Sequence, residues 1–163
     1  MDKKIVFTEV IKKNEGLIFK VAALYTDCAH DREDLYQEIV FQLWKSFDSF
    51  REQSKISTWM YRIAMNTAIY NLKVKKKQIS TTSIESETDR FVDIVDKSDE
   101  ERIKLLYSHI QKLNLLEKGI TLLYLEGKSY NEISEIIGIS ASNVGTRISR
   151  IKEKLKTQII KTK

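Results

Sequence analysis

Apolar positions recur along most of the chain at the three- and four-residue spacing of amphipathic helices. The first such run covers residues 5–28, and Gly16 is placed to bend or interrupt it. Acidic residues at 31–34 open a second helix, as the helix dipole favours. Its apolar stripe is Leu35, Ile39, Leu43 and Phe47. A third helix follows, for which Ser57 or Thr58 is the predicted cap.

A segment of different composition, residues 78–100, separates these helices from the C-terminal part of the chain. It is rich in Ser, Thr, Asp and Glu, with two basic and seven acidic residues, which is typical of a linker. Helical periodicity returns at 103–113 and 117–126. The sequence has no proline and only five glycines, which also favours helices. We therefore predict an all-α fold of two helical domains, residues 1–77 and 101–160, joined by a flexible linker.

The segment 129–156 gives the strongest local signal in the sequence. Ser129 and Glu132 match the capping-box pattern, Gly138 marks a tight turn, and Ser140 can cap the next helix. The apolar stripe that would fix this last helix is Val144, Ile148, Ile151 and Leu155. A short helix, a glycine turn and a basic helix describe a helix-turn-helix. A helical hairpin that only packs is the alternative.

The other face of this last helix carries short polar and basic side chains. Those near its start can reach base edges in the major groove, and lysines further along can contact phosphates. The predicted contacts are Ser142, Asn143, Thr146, Arg147, Ser149, Arg150, Lys152 and Lys154. The distribution of charge is consistent with DNA binding, since residues 101–163 hold 12 basic and 6 acidic side chains in a chain of net charge +5. Charge alone would favour a solvated lysine-rich surface.

The second helix of the first domain carries the first of two features that also suggest binding. Asp34, Glu38, Phe41 and Lys45 line up as an acidic and aromatic strip on the helix 31–47, although these residues alone favour a solvated face.

A polar loop after this helix runs into the third helix, which carries Trp59, Arg62 and Asn66. Aromatic rings interleaved with arginine and asparagine can stack on unpaired bases and bind their edges. Core packing is the alternative, and for Trp59 the two interpretations stay open.

Three stretches of the sequence resemble the sigma-70 family of RNA polymerase sigma factors. The resemblance to region 2 lies in DREDLYQEIVFQLWKSFDSF and STWMYRIAMNTA, and that to region 4 in KSYNEISEIIGISASNVGTRISRIKEKLK. The two regions occur in the family order with only a short linker between them, which is the layout of the extracytoplasmic-function group. The resemblance implies a non-catalytic subunit that binds core RNA polymerase and directs promoter recognition and transcription initiation.

The resemblance also implies roles for individual residues. Core polymerase would be bound by Asp34, Gln37, Glu38 and Trp44, together with Phe41 of the same strip. The −10 element and a flipped base would be bound by Phe50, Arg51, Ser57, Trp59, Arg62 and Asn66. The helix matching 141–154 would read the −35 element. Two positions depart from many relatives, which have a basic residue at Gly145 and proline at Leu115. Glycine at 145 supplies no base contact and weakens the helix by about 1 kcal/mol relative to alanine.

Other classes of protein have no support in the sequence. The single cysteine, Cys28, and the distant His30 and His109 give no disulfide and no metal-ligand cluster. There is no phosphate-binding glycine loop and no nucleophile–base pair, so we expect neither an enzyme nor a cofactor. No segment is apolar enough to insert in a membrane, and the cytoplasm is expected.

A stand-alone helix-turn-helix regulator is the competing hypothesis. The loop and helix around Trp59 distinguish the two, because a repressor has no need of a single-strand pocket. The expected partners are core RNA polymerase and promoter DNA, and the family makes an anti-sigma factor plausible.

Overall fold

The computed structural model describes residues 2–78 and 97–162, and within them the chain forms eight α-helices in two compact units. The helices of the first unit are α1 (Lys3–Lys13), α2 (Glu15–Leu24), α3 (Ala29–Ser46) and α4 (Ile56–Gln78), with a 3₁₀ turn at Phe47–Ser49. Those of the second unit are α5 (Lys97–Ile110), α6 (Leu115–Leu125), α7 (Tyr130–Ile137) and α8 (Ala141–Thr162). The predicted all-α fold is confirmed. In the described ranges no helix is both long and apolar enough to cross a membrane.

The core of the first unit lies where α2, α3 and α4 pack together. The fully buried side chains at its centre are Ile18, Val21, Ile39, Leu43, Met60 and Met65. Burial of each such aliphatic side chain contributes about 1.5–3 kcal/mol. The stripe predicted for the second helix is confirmed at Leu35, Ile39 and Leu43, whereas Phe47 is half-buried in the 3₁₀ turn.

Two predictions about the helices of the first unit need correction. The run 5–28 is interrupted, as Gly16 suggested, but the break is at Asn14, whose side chain donates a hydrogen bond to the Val10 carbonyl (2.8 Å), and the second helix ends at Leu24. α4 begins at Ile56, so Ser57 and Thr58 lie inside its first turn and neither is the cap. Thr58 is buried, and its side chain therefore packs within the bundle.

Local capping interactions determine where the helices of the second unit begin and end. The predicted capping box is confirmed, with the Ser129 hydroxyl accepting from the Glu132 amide and the Glu132 carboxylate accepting from the Ser129 amide. Gly138 ends α7 at φ 85°, and the Ser140 hydroxyl caps α8 by accepting from the Asn143 amide at 3.1 Å. A second capping box, at Asn114, starts α6. The predicted stripe of α8 is buried at Val144, Ile148 and Ile151 and half-buried at Leu155.

Helix α5 is longer than the sequence predicted. It begins at Lys97, within the range 78–100 that was predicted as linker. Asp99 and Glu100 lie in its first turn, where negative charge stabilises a helix, and Glu100 pairs with Lys104 at 3.0 Å. Residues 79–96, most of the predicted linker, lie outside the described part of the chain.

The α7 capping box is expected to stabilise the helix-turn-helix measurably. Ser129→Ala removes the hydroxyl acceptor and should lower local stability by about 1 kcal/mol. The backbone amides of α7 should then exchange with solvent roughly fivefold faster, as measured by native-state hydrogen exchange. Asn131→Ala changes an exposed residue of the same helix and is the matched control, with no acceleration expected. Equal exchange rates in the two variants would contradict this role for Ser129.

Candidate nucleic-acid interfaces

One surface of the first unit combines aromatic, basic and amide side chains. Trp59, Arg62 and Asn66 are three and four residues apart on α4, so they lie on one face of this helix. Arg62 and Asn66 are exposed, and Trp59 is half-buried. Ser57 is half-buried in the first turn of the same helix, about 200° around the helix from Trp59. The structure therefore places Trp59, Arg62 and Asn66 side by side, with Ser57 on another side of α4.

The ring of Trp59 packs against two other aromatic rings. Its centroid lies 5.1 Å from that of Phe50 and 6.2 Å from that of Phe47. From the sequence alone, Trp59 could serve either in core packing or in base stacking. Trp59 thus has support from Phe47 and Phe50 and keeps part of its surface accessible to solvent.

The loop that precedes α4, residues 50–55, contains an unusual backbone conformation. Glu52 has φ 55°, in the left-handed region that costs a residue with a side chain about 1 kcal/mol. Such strain persists only where the surroundings hold it, and it is concentrated at functional loops. The exposed Arg51 precedes Glu52, and the half-buried Phe50 anchors the loop on Trp59.

The outer face of α3 carries the acidic and aromatic strip. Asp34, Gln37 and Phe41 are exposed, and Phe41 retains 52% of its accessible surface. Glu38 is half-buried and accepts a hydrogen bond from the Gln42 side chain at 2.9 Å. A large aromatic ring exposed among acidic groups is typical of a protein-binding surface.

An apolar groove between α1 and α3 continues this strip. It has a volume of about 420 Å³. Its lining residues are Lys4, Phe7, Thr8, Gln37, Val40, Phe41 and Trp44. Trp44 is half-buried, and the Lys3 ammonium lies 4.2 Å from the centre of its ring. Three of the residues predicted to bind polymerase thus share one concave surface.

The exposed face of α8 carries most of the residues predicted to contact duplex DNA. Solvent reaches Ser142, Asn143, Thr146, Ser149 and Arg150. Arg147 is half-buried, and its Nε donates a hydrogen bond to Asn143 Oδ1 at 3.2 Å. Arg150 extends from the same exposed face, where a guanidinium can reach a guanine edge.

The two lysines predicted to contact phosphates lie on different flanks of α8, because residues two apart are about 200° apart around a helix. Lys154 forms an ion pair with Glu117 of α6 at 3.2 Å. The Lys152 ammonium lies 4.6 Å from the centre of the Tyr124 ring, and a side-chain hydrogen bond with Tyr124 raises the pKa of Lys152. Both lysines are therefore held beside α6.

Gly145 lies against a ring that the sequence did not single out. A Cβ at this position would come within 3.3 Å of Tyr130 Cε2. A larger residue would therefore push on Tyr130, which starts α7 and is 42% exposed. No local pattern could have revealed this contact, since the two residues belong to different helices.

The described part of the chain offers no metal centre, since no three of its His, Cys, Asp or Glu side chains converge to hold an ion.

Comparison with known proteins gives matches in both units. Residues 10–78 match the family model described as Sigma-70 region 2. Residues 106–155 match the model described as Sigma-70, region 4. The first match covers α2 to α4, and the second covers the helix-turn-helix.

Relatives match along most of the chain. The ECF RNA polymerase sigma-E factor of Haemophilus influenzae is 32% identical over 154 residues, which cover 86% of this chain and 82% of that protein. The ECF RNA polymerase sigma factor SigW of Bacillus subtilis is 30% identical, with 94% of this chain and 88% of that protein covered. Among solved structures, the sigma factor RpoE from Bartonella quintana, in complex with the anti-sigma factor NepR, has a TM-score of 0.76 at 19% identity. The match covers 94% of this chain and 96% of that one, and it shows a shared fold.

Proposed function

The chain belongs to the extracytoplasmic-function group of sigma-70 family sigma factors, and from this we propose which of its surfaces bind core RNA polymerase and which read the promoter. As a sigma factor, it works with RNA polymerase in promoter recognition and transcription initiation. The observation that carries this function is the match of regions 2 and 4, in order, together with relatives that cover more than four fifths of both chains.

We assign core polymerase binding to the strip on α3. The supporting features are its acidic groups at Asp34 and Glu38, the exposed Phe41 ring and the groove beside Trp44. The acidic end of the strip fits a basic partner helix, because its charges steer the encounter while the Phe41 ring and the groove supply buried area.

We assign the −10 element to the face of α4 and the loop before it. Phe50 and Trp59 form a stacking platform, and Arg62 and Asn66 lie beside it. Arg51 and Ser57 lie at the loop and the first turn. A platform next to donors and acceptors can hold an unpaired base, which offsets the few kcal/mol that unstacking costs.

We assign the −35 element to α8. The short side chains and arginines of its exposed face suit base reading, and Lys152 and Lys154 suit phosphate contacts. Lys154 is the more exposed partner of its ion pair with Glu117, at 49% against 18%, so its ammonium is accessible to a phosphate.

The remaining proposals concern organisation and partners. We propose that the functional domains are residues 1–77 and 101–160, with 78–100 as their linker. The Bartonella quintana protein of the same fold was solved with an anti-sigma factor, and we propose that such a factor binds this chain as well. The chain acts where RNA polymerase acts, in the cytoplasm. It catalyses no reaction of its own.

In vitro transcription with core polymerase and a library of promoter sequences tests the function. The chain together with core enzyme should start transcription downstream of a shared pair of −10 and −35 sequences, while neither alone should do so. Binding of the chain to symmetric duplex sites without core enzyme would instead indicate a stand-alone regulator.

Arg150 and Lys154 are expected to contribute differently to −35 binding. Arg150→Ala should lose about 1–3 kcal/mol of discrimination at one base pair, because a bidentate arginine–guanine contact distinguishes bases. Lys154→Ala should weaken every −35 variant alike and reduce the salt slope by about one unit. Affinities for a panel of −35 duplexes at several salt concentrations measure both effects. Equal losses on every duplex in both variants would contradict this division.

A further inference from the structure

Five aromatic rings of the first unit form a continuous row. In spatial order they are Trp44, Phe7, Phe47, Trp59 and Phe50, which we call the aromatic row. Neighbouring centroids along it are 5.1, 5.2, 6.2 and 5.1 Å apart. The row begins in the proposed polymerase groove and ends in the proposed −10 platform.

Phe7 is the ring that ties α1 to this row. It is the one buried residue of α1, with 7% of its surface accessible, and it precedes the residues 10–78 that match sigma-70 region 2. The main contacts of the bundle core are those among α2, α3 and α4. A single buried ring on an otherwise peripheral helix therefore contacts the turn that leads towards α4.

The contacts of Phe7 are directional. It meets both Trp44 and Phe47 edge-on, with interplanar angles of 71° and 73°. Phe47 belongs to a 3₁₀ turn of only three residues, and it packs on Trp59 from there. Lys3, one turn earlier on α1, forms a 2.7 Å ion pair with Asp48 in the same turn. Two side chains of α1 thus hold the turn that supports Trp59.

We propose that Phe7 is a positioning residue for the −10 site, which acts through Phe47 to fix the ring of Trp59 and the loop at 50–55. This inference rests on the proposed function of that surface. A platform held in its binding geometry before DNA arrives avoids the entropic cost of ordering it afterwards. Without the Phe7 ring, Phe47 can shift into the space left behind, and Trp59 loses support on that side.

The test uses the full chain assembled with core polymerase. Phe7→Ala should weaken binding of a single-stranded non-template −10 oligonucleotide about fivefold, the cost of ordering one freed side chain when the DNA binds. Phe7→Leu retains the buried apolar contact and should recover most of the affinity. Ile5→Ala, a substitution at an exposed apolar residue of the same helix, is the matched control and should bind as the wild type does. Core polymerase is kept at a concentration that saturates each variant, because Phe7 also contacts Trp44.

A spectroscopic readout separates positioning from loss of folding. The sequence has two tryptophans, so 5-fluorotryptophan labelling gives two ¹⁹F resonances, which Trp44→Phe assigns. Phe7→Ala should shift or broaden the Trp59 resonance through Phe47, which packs on both rings, and Ile5→Ala should leave it in place.

The outcomes distinguish this inference from the proposed function. Wild-type oligonucleotide affinity together with an unchanged Trp59 resonance in Phe7→Ala would overturn the positioning role. A loss of core polymerase binding in Phe7→Ala with unchanged DNA affinity at saturation would overturn it too, since Phe7 would then act through Trp44. Failure of the wild-type holoenzyme to prefer single-stranded −10 DNA would instead refute the proposed −10 site.

Discussion

Replacing Asp34 and Glu38 together by lysine is expected to weaken binding to core RNA polymerase by at least about 100-fold, because like charges brought together across an interface cost several kcal/mol. The fold should tolerate the change. Asp34 is exposed, its contact with His30 spans 3.4 Å between two exposed groups, and Glu38 loses only its hydrogen bond from Gln42. Exposed pairs of this kind contribute little to stability. Titration of labelled protein with core enzyme measures the loss, and circular dichroism checks the fold.

The matched control for this variant carries the same change in charge elsewhere. Glu9 and Asp27 are exposed acidic residues of the same unit and lie outside the strip on α3. Glu9→Lys with Asp27→Lys should retain core binding within a few fold, the residual effect being long-range and screened by salt. If the two double variants bind core polymerase equally well, the strip is not the polymerase-binding surface. If they lose affinity equally, net charge rather than the strip is responsible.

Capping and periodicity made much of the second unit predictable from sequence. The capping box at Ser129, the turn at Gly138 and the cap at Ser140 depend on interactions within five residues, so a local pattern contains them. The same reasoning predicted an interruption of the first run from Gly16 but not its position at Asn14, where a side chain bonds to the preceding turn. It failed at Thr58, because burial within the bundle determined the role of that residue.

The arrangement of the candidate sites depends on contacts between distant residues, and the sequence could supply only their composition. The ion pair between Glu117 and Lys154 joins residues 37 positions apart. The Tyr130 ring over Gly145 and the Phe7 ring between Trp44 and Phe47 likewise join separate helices. Periodicity predicts which face of a helix is buried but not which helix covers it, so none of these contacts could be predicted.

Trp59 shows how the sequence pattern and the contacts between distant residues combine at one side chain. The sequence supplied an aromatic residue three and seven positions before a basic and an amide side chain, and it left packing and base stacking open. The structure gives the ring two aromatic neighbours on the turn and loop before α4 and leaves part of it accessible. Packing on Phe47 and Phe50 is therefore compatible with the stacking role that we propose for this ring.

Arg62→Ala and Asn66→Ala are expected to impair promoter opening about 10-fold each, and more in combination. Asn66 can pair its amide with the edge of an unpaired base, and Arg62 can hold the adjacent phosphate. Hydrogen bonds of this kind contribute about 1–3 kcal/mol, with the charged one at the upper end. Open-complex formation on duplex promoters measures the loss. A promoter premelted at −10 should partly rescue both variants, because it removes the cost of unstacking the base.

The salt dependence should separate the two residues on single-stranded −10 DNA. Arg62→Ala should reduce the slope of log affinity against log salt by about 0.7, the value for one phosphate contact on a single strand, whereas Asn66→Ala should lower affinity without changing the slope. Lys12→Ala removes one positive charge from the exposed side of α1 and serves as the control, with affinity and slope both retained. Because the non-template strand carries the captured base, the wild-type holoenzyme should also prefer that strand over its complement. If both variants open duplex and premelted promoters normally, α4 is not part of the −10 site. The proposed DNA contacts would then be those of α8 alone.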